Sequence, residues 1–126
     1  MPLTEFSVVY ASSQEDGTII HCFDGRELVL ILVTCVALDD YFGWPWSLPD
    51  EKRPTLPERH LVVDRNLAAF EPIIQGKYQR GEYSILNRSG SSLKLIEVTG
   101  ADIPRGRVQL TDSVIQTARA AYFARA

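Results

Sequence analysis

Glu27-Leu28-Val29-Leu30-Ile31-Leu32-Val33 is the stretch on which the fold turns. Its aliphatic residues run without a polar alternate to meet water, which suits a strand buried on both faces rather than one with a wet side. Asp24-Gly25 just ahead of it is a hairpin signal, because glycine supplies the positive φ of a tight reversal, so the β-prone run Thr18 to Phe23 pairs with it. Further upstream Phe6, Val8 and Tyr10 alternate with Ser7, Val9 and Ala11, and the polar cluster Ser12 to Gly17 makes a turn. Together these segments predict a three-stranded meander.

Downstream, Thr34 is placed to cap a short helix with Leu38 and Phe42 on its inward face and Gly43 as its terminator. Trp44 to Pro54 carries three prolines, which remove amide donors and block regular structure, so it reads as a loop. Thr55-Leu56-Pro57-Glu58 matches a capping box and opens a long helix, in which Val63, Leu67, Phe70, Ile74 and Tyr78 share one face. Pro72 lies inside that stripe without breaking its phase, which favours a kinked helix, with a split into two as the alternative. Glu82 to Asn87 and Ser91 to Thr99 predict a second hairpin, with Tyr83, Ile85, Leu93 and Leu95 turned inward. Thr111 then caps a C-terminal helix on which Ile115, Ala118 and Tyr122 share a face. The expected fold is α+β: a mainly antiparallel sheet of about five strands, meander plus hairpin, covered by a long kinked helix and flanked by a short and a C-terminal helix.

The 126 residues are the usual size of a single domain, here 1–126, and with 45% apolar and 23% charged residues the chain has a globular composition. Its longest apolar stretch, Leu28 to Leu38, is 11 residues, short of the roughly 18 that cross a bilayer. The opening Met-Pro-Leu-Thr-Glu-Phe lacks a basic segment followed by an apolar run, so a cytosolic protein without a membrane segment is expected. Cys22 and Cys35 sit in apolar surroundings as small hydrophobes, a usage that fits a reducing compartment. Charge is divided along the chain: residues 1–50 hold eight acids against Arg26 alone, whereas residues 51–126 hold twelve Lys/Arg against eight acids. The halves either attract each other within the fold or present opposite faces to a partner or a second copy.

The order Asp24-Gly25, a short aliphatic strand, Ala37-Leu38-Asp39-Asp40-Tyr41-Phe42-Gly43, Asp64-Arg65-Asn66-Leu67-Ala68-Ala69-Phe70 with Lys77-Tyr78, then Val98-Thr99-Gly100-Ala101-Asp102 resembles the bacterial family catalogued as domain of unknown function 1488. The resemblance covers roughly residues 17–103, leaving a helical extension over about 104–126. It implies a small bacterial α+β domain without an assigned activity. The long proline-rich insertion at Trp44 to Pro54, Ile31 where a cysteine is frequent, and the helix beyond Gln109 depart from the family's pattern.

No reactive constellation stands out. His21 and Cys22 are adjacent in a strand, so their side chains leave on opposite faces and do not serve each other as base and nucleophile. Pairings of Cys35 with His21 or His60 define a cryptic-enzyme alternative. Two cysteines and two histidines without short spacings lack a zinc signature, and isolated glycines make no phosphate loop, so no metal or cofactor is expected. Candidate binding residues are Trp44 and Trp46, either a contact surface or a lid on the core; Asp39 and Asp40, where the helix dipole disfavours anions; and Arg105 and Arg107. With Arg80, Arg88, Lys94, Arg119 and Arg125 the latter pair forms a basic set that raises a nucleic-acid-associated regulator as an alternative, against which the pI near 5.3 stands. The expected function is a non-catalytic protein-binding or regulatory module, with a protein partner or self-association.

Overall fold

The computed structural model describes residues 2–10, 16–42, 55–88, 90–104 and 106–111. Strands β1 (Thr4–Val8), β2 (Gly17–Asp24) and β3 (Glu27–Thr34) lead into helices α1 (Cys35–Phe42), α2 (Leu56–Arg65) and α3 (Leu67–Gln79). The chain then forms β4 (Ser84–Arg88), β5 (Ser91–Val98) and a 3-10 turn at Gly100–Asp102. The predicted C-terminal helix falls almost wholly outside the described residues.

The meander forms as its turn chemistry dictates. Asp24 pairs with Glu27 across a two-residue turn, and Gly25 adopts φ 62°. Gly17 is required for a different reason: a Cβ there would lie 2.1 Å from the Val33 carbonyl oxygen. The sheet order is β1-β2-β3-β5-β4.

One expectation is corrected at the centre of this sheet. It is mixed, not mainly antiparallel, because β3 and β5 run parallel, Ile31 opposite Ile96 and Val33 opposite Val98. The reason lies in β3 itself, buried from Val29 to Val33 and flanked on both edges. β2 fills one edge; the three described helices lead into β4 on the outside of the sheet, and the β4–β5 hairpin turns the chain back so that β5 fills the other edge of β3 in the same direction.

The long helix is also corrected: it is two helices, and the break lies at Asn66 rather than Pro72. Asn66 has φ −107° and ψ 14°, and its buried side chain donates to the Val62 carbonyl (2.7 Å) and the Thr111 carbonyl (2.8 Å). Its amide oxygen accepts from the Thr111 backbone (2.9 Å), so one side chain both offers the backbone an alternative to helix and ties in the later chain. Pro72, exposed, sits within α3. Starts are as read: Thr55 and Glu58 form the capping box, at 2.8 and 3.3 Å, and Thr34 accepts from the Ala37 amide at 3.1 Å.

All three described helices pack on one face of the sheet. Ala37 and Leu38 of α1, Val63 of α2, and Phe70 and Ile74 of α3 join Ile20, Cys22, Val29, Ile31, Val33, Ile96 and Val98 in one buried cluster. The apolar stripe read from the sequence is therefore the inward face of α2 and α3 together. No helix among the described residues is long and apolar enough to cross a membrane.

Candidate functional site

The sheet's two faces differ in what they carry. On the helical face the polar groups are engaged. The Arg59 guanidinium donates to Asp39, with both side chains nearly buried, and reaches the Cys35 carbonyl at 3.4 Å. Thr18 and His60 share a buried hydrogen bond of 2.7 Å. The Tyr10 hydroxyl donates to Asp64 and the Tyr78 hydroxyl to Asp24, while Lys94 donates to Tyr78 at 3.2 Å and lies over the Tyr78 and Tyr83 rings. Lys77 holds Asp102 at 2.9 and 3.0 Å.

These contacts quiet the groups that a reaction would use. Burial pushes the Cys22 thiol up to about 12, and it raises Cys35 even though Arg59 beside it pulls the other way. Burial, reinforced by the bond to Asp64, lifts the Tyr10 phenol to about 12. His21 pairs with Leu30, four positions along β2 from the Gly17–Thr34 pair that precedes Cys35, and it projects on the face away from the helices. Four rungs amount to about 13 Å, so His21 and Cys35 do not meet. No group of three or more His, Cys, Asp or Glu among the described residues is arranged to hold a metal ion.

The other sequence candidates separate. Trp44, Trp46 and Arg105 lie outside the described residues. Asp39 is buried against Arg59, whereas Asp40 is exposed and lines a small cavity of about 160 Å³ with Tyr41, Gly100, Ile103 and Pro104, so the two carboxylates do not make one patch. Arg107 is exposed on the turn after Pro104. Arg80 pairs with Glu82, Lys77 with Asp102 and Arg59 with Asp39, so three of the twelve basic residues of the second half are answered by acids.

The opposite face is built by the even period of the strands. One row crosses all five: Ser7, His21, Leu30, Leu95, Ser84. Beside it run Ile19, Leu32 and Glu97 on one side, and Thr4, Phe23 and Leu28 with the pair Leu93 and Leu86 on the other. On the three central strands His21 and Glu97 are its titratable side chains, and the rest of that centre is aliphatic or aromatic. Leu30 and Leu32, in the middle strand, are 8% and 9% exposed among their sheet neighbours, and the flanking Ile19, Phe23, Leu28, Leu86, Leu93 and Leu95 are partly exposed. None of these eight belongs to the buried cluster beneath the helices. Where β3 and β5 begin, Leu28 and Leu93 continue into a groove of about 370 Å³ with Glu27, Ile85, Ser92 and Lys94.

Sequence reading missed this face. It placed Tyr83, Ile85, Leu93 and Leu95 inward together, yet Ile85 pairs with Lys94 and is 55% exposed, and Leu93 and Leu95 alternate with the truly inward Ile96 and Val98. The signal was present in β5, where Leu93, Leu95 and Ile96 are all apolar and both faces therefore need a cover.

Comparison with models of known protein families, with curated proteins and with solved structures finds no match for this chain.

Proposed function

We propose that the chain is a non-catalytic module that binds protein, and that its contact surface is the sheet face away from the helices. The observation that carries this reading is the asymmetry of the sheet: the described helices cover one face, while eight apolar side chains occupy the other. Contiguous apolar surface of that kind marks interaction sites in soluble proteins, and its near-lack of charge calls for a partner offering an equally aliphatic, flat surface. The engaged acids, thiols and imidazole of the helical face support a binding role over a reaction. The likeness to the family catalogued as domain of unknown function 1488 belongs to the same proposal. Asp39, Lys77 and Asp102, three residues of its motifs, form ion pairs that join α1 to α2 and α3 to the 3-10 turn, which supports a shared architecture more than a shared chemistry.

The test is chemical access. Leu93→Cys and Leu95→Cys chains, diluted to nanomolar concentration, are exposed to a maleimide and the modified peptides identified by mass spectrometry. Labelling within minutes is expected, with buried Cys22 unlabelled. Protection of both new thiols in the dilute monomer would show the face covered by the chain itself and would overturn the reading.

A further inference from the structure

We infer that the partner of this face is a second copy of the chain, packed sheet to sheet about a two-fold axis that runs parallel to β3; the inference rests on the binding role just proposed. The sheet order β1-β2-β3-β5-β4 places β3 at its centre with two strands on each side. Rotation about an axis over β3 lays β2 of one copy across β5 of the other and β1 across β4, so the five strands of each copy are matched without overhang. β3 itself brings only Leu28, Leu30 and Leu32 to the axis, where like residues face like and a charge would oppose its own copy.

The two titratable side chains that the central strands bring to the face stand on opposite sides of that axis, the base on β2 and the acid on β5. His21 lies in the row of Leu30, and Glu97 lies in the row of Leu32. Within one chain β3 separates them, about 10 Å across two strand spacings, and across the interface they are offset by one row, about 7 Å along the strands, so with the sheets about 10 Å apart both side chains extend to meet. His21 of each copy thus donates towards Glu97 of the other, a self-complementary pair of contacts flanking an aliphatic centre. In the same arrangement Phe23 meets Leu93 of the second copy.

Area agrees with this. Three eight-residue strands with two shorter neighbours span a footprint on the order of 500 Å². That footprint lies above the roughly 400 Å² per partner of incidental contacts and below the roughly 800 Å² of a standard interface. The described residues that border the longer stretches outside the description are held on the helical side. Tyr10 is bonded to α2, the Asp16 carbonyl accepts from the first amide of α1, Phe42 packs on the helical core, and Thr111 is held by Asn66 between α2 and α3.

Sedimentation equilibrium of the full chain tests the inference, with circular dichroism melting to verify the fold of each variant. The expected result for the unaltered chain is a mass twice 14.1 kDa at micromolar concentration. Leu95→Lys is expected to leave a folded monomer and Glu97→Lys to weaken association at least tenfold, while His21→Glu combined with Glu97→Lys restores it to within threefold. A monomer at every concentration, or a dimer indifferent to Leu95→Lys and Glu97→Lys, would overturn the second copy as partner. The thiol labelling separates this from the broader reading. Label uptake at every concentration by a monomer removes the second copy and leaves the face available to another protein, protection that grows with concentration supports the pairing, and protection independent of concentration removes both.

Discussion

The two faces of one five-stranded sheet obey the same alternation yet have opposite fates. Under the helices, Ile20, Ile31 and Ile96 form a row that is fully buried, and nearby Thr18 bonds His60 and Arg59 bonds Asp39. On the far side, the neighbouring row of His21, Leu30 and Leu95 is built from side chains just as apolar at its centre, with no described helix upon it. The helical face spends its apolar area on holding the chain together. The far face has apolar area that the described chain leaves for something else.

The sharpest way to break this contrast is to truncate one apolar side chain on each face. Phe70, fully buried in α3, contacts the centre of the cluster, and Phe70→Ala is expected to destabilise by about 3–5 kcal/mol through lost transfer energy and a residual cavity. Leu95→Ala on the far face, compared in the dilute monomer, is expected to cost under about 1 kcal/mol, since its methyl groups are already partly wet. Urea denaturation of both reads the difference. Equal costs would mean that the far face is as well packed as the near one.

A smaller effect distinguishes the faces by their charges. Asp39→Ala leaves the Arg59 guanidinium buried without its carboxylate, which typically costs about 3 kcal/mol. The double variant Asp39→Leu, Arg59→Met removes both charges and is expected to recover most of that loss in thermal melting, because the cost lies in keeping the cation desolvated rather than in the missing bond. A double variant no better than the single would assign the pair a directional role in seating α2.

Much of this architecture was legible in the residues, for local reasons. Gly25 needed a positive φ, Thr55 and Glu58 satisfied each other's amides, and Thr34 bonded the Ala37 amide; each is a decision taken within four residues. What stayed hidden was decided at long range. The break at Asn66 depends on Thr111, 45 residues away, and the parallel course of β5 depends on where the helices deliver it. Of the candidate site, Asp39 was visible as an anion misplaced near a helix end, and its partner Arg59 accounts for it. The far face was harder to see. An unbroken aliphatic strand tells that two sides need covering, but not that the cover for one of them is missing from the described helices.

The smallest loss expected on the helical side concerns Asp102, which anchors the end of β5 there through Lys77 and the Thr99 amide. Burial by itself would raise its carboxyl, yet the Thr99 amide and the Lys77 ammonium outweigh burial and hold it below the ordinary carboxylate value. Because the folded value is the lower of the two, the folded state binds its proton less readily than the unfolded chain. The contribution is therefore complete above the unfolded pKa and fades as pH falls through the folded one. Asp102→Asn keeps the shape and removes the charge, so it is expected to cost about 1–2 kcal/mol at pH 7 and progressively less on acidification, until the two chains denature alike. A gap between wild type and variant that stays constant from pH 7 to pH 2 would locate the value of Asp102 in its shape, and would remove the ion pair with Lys77 from the account of how the helical face is held.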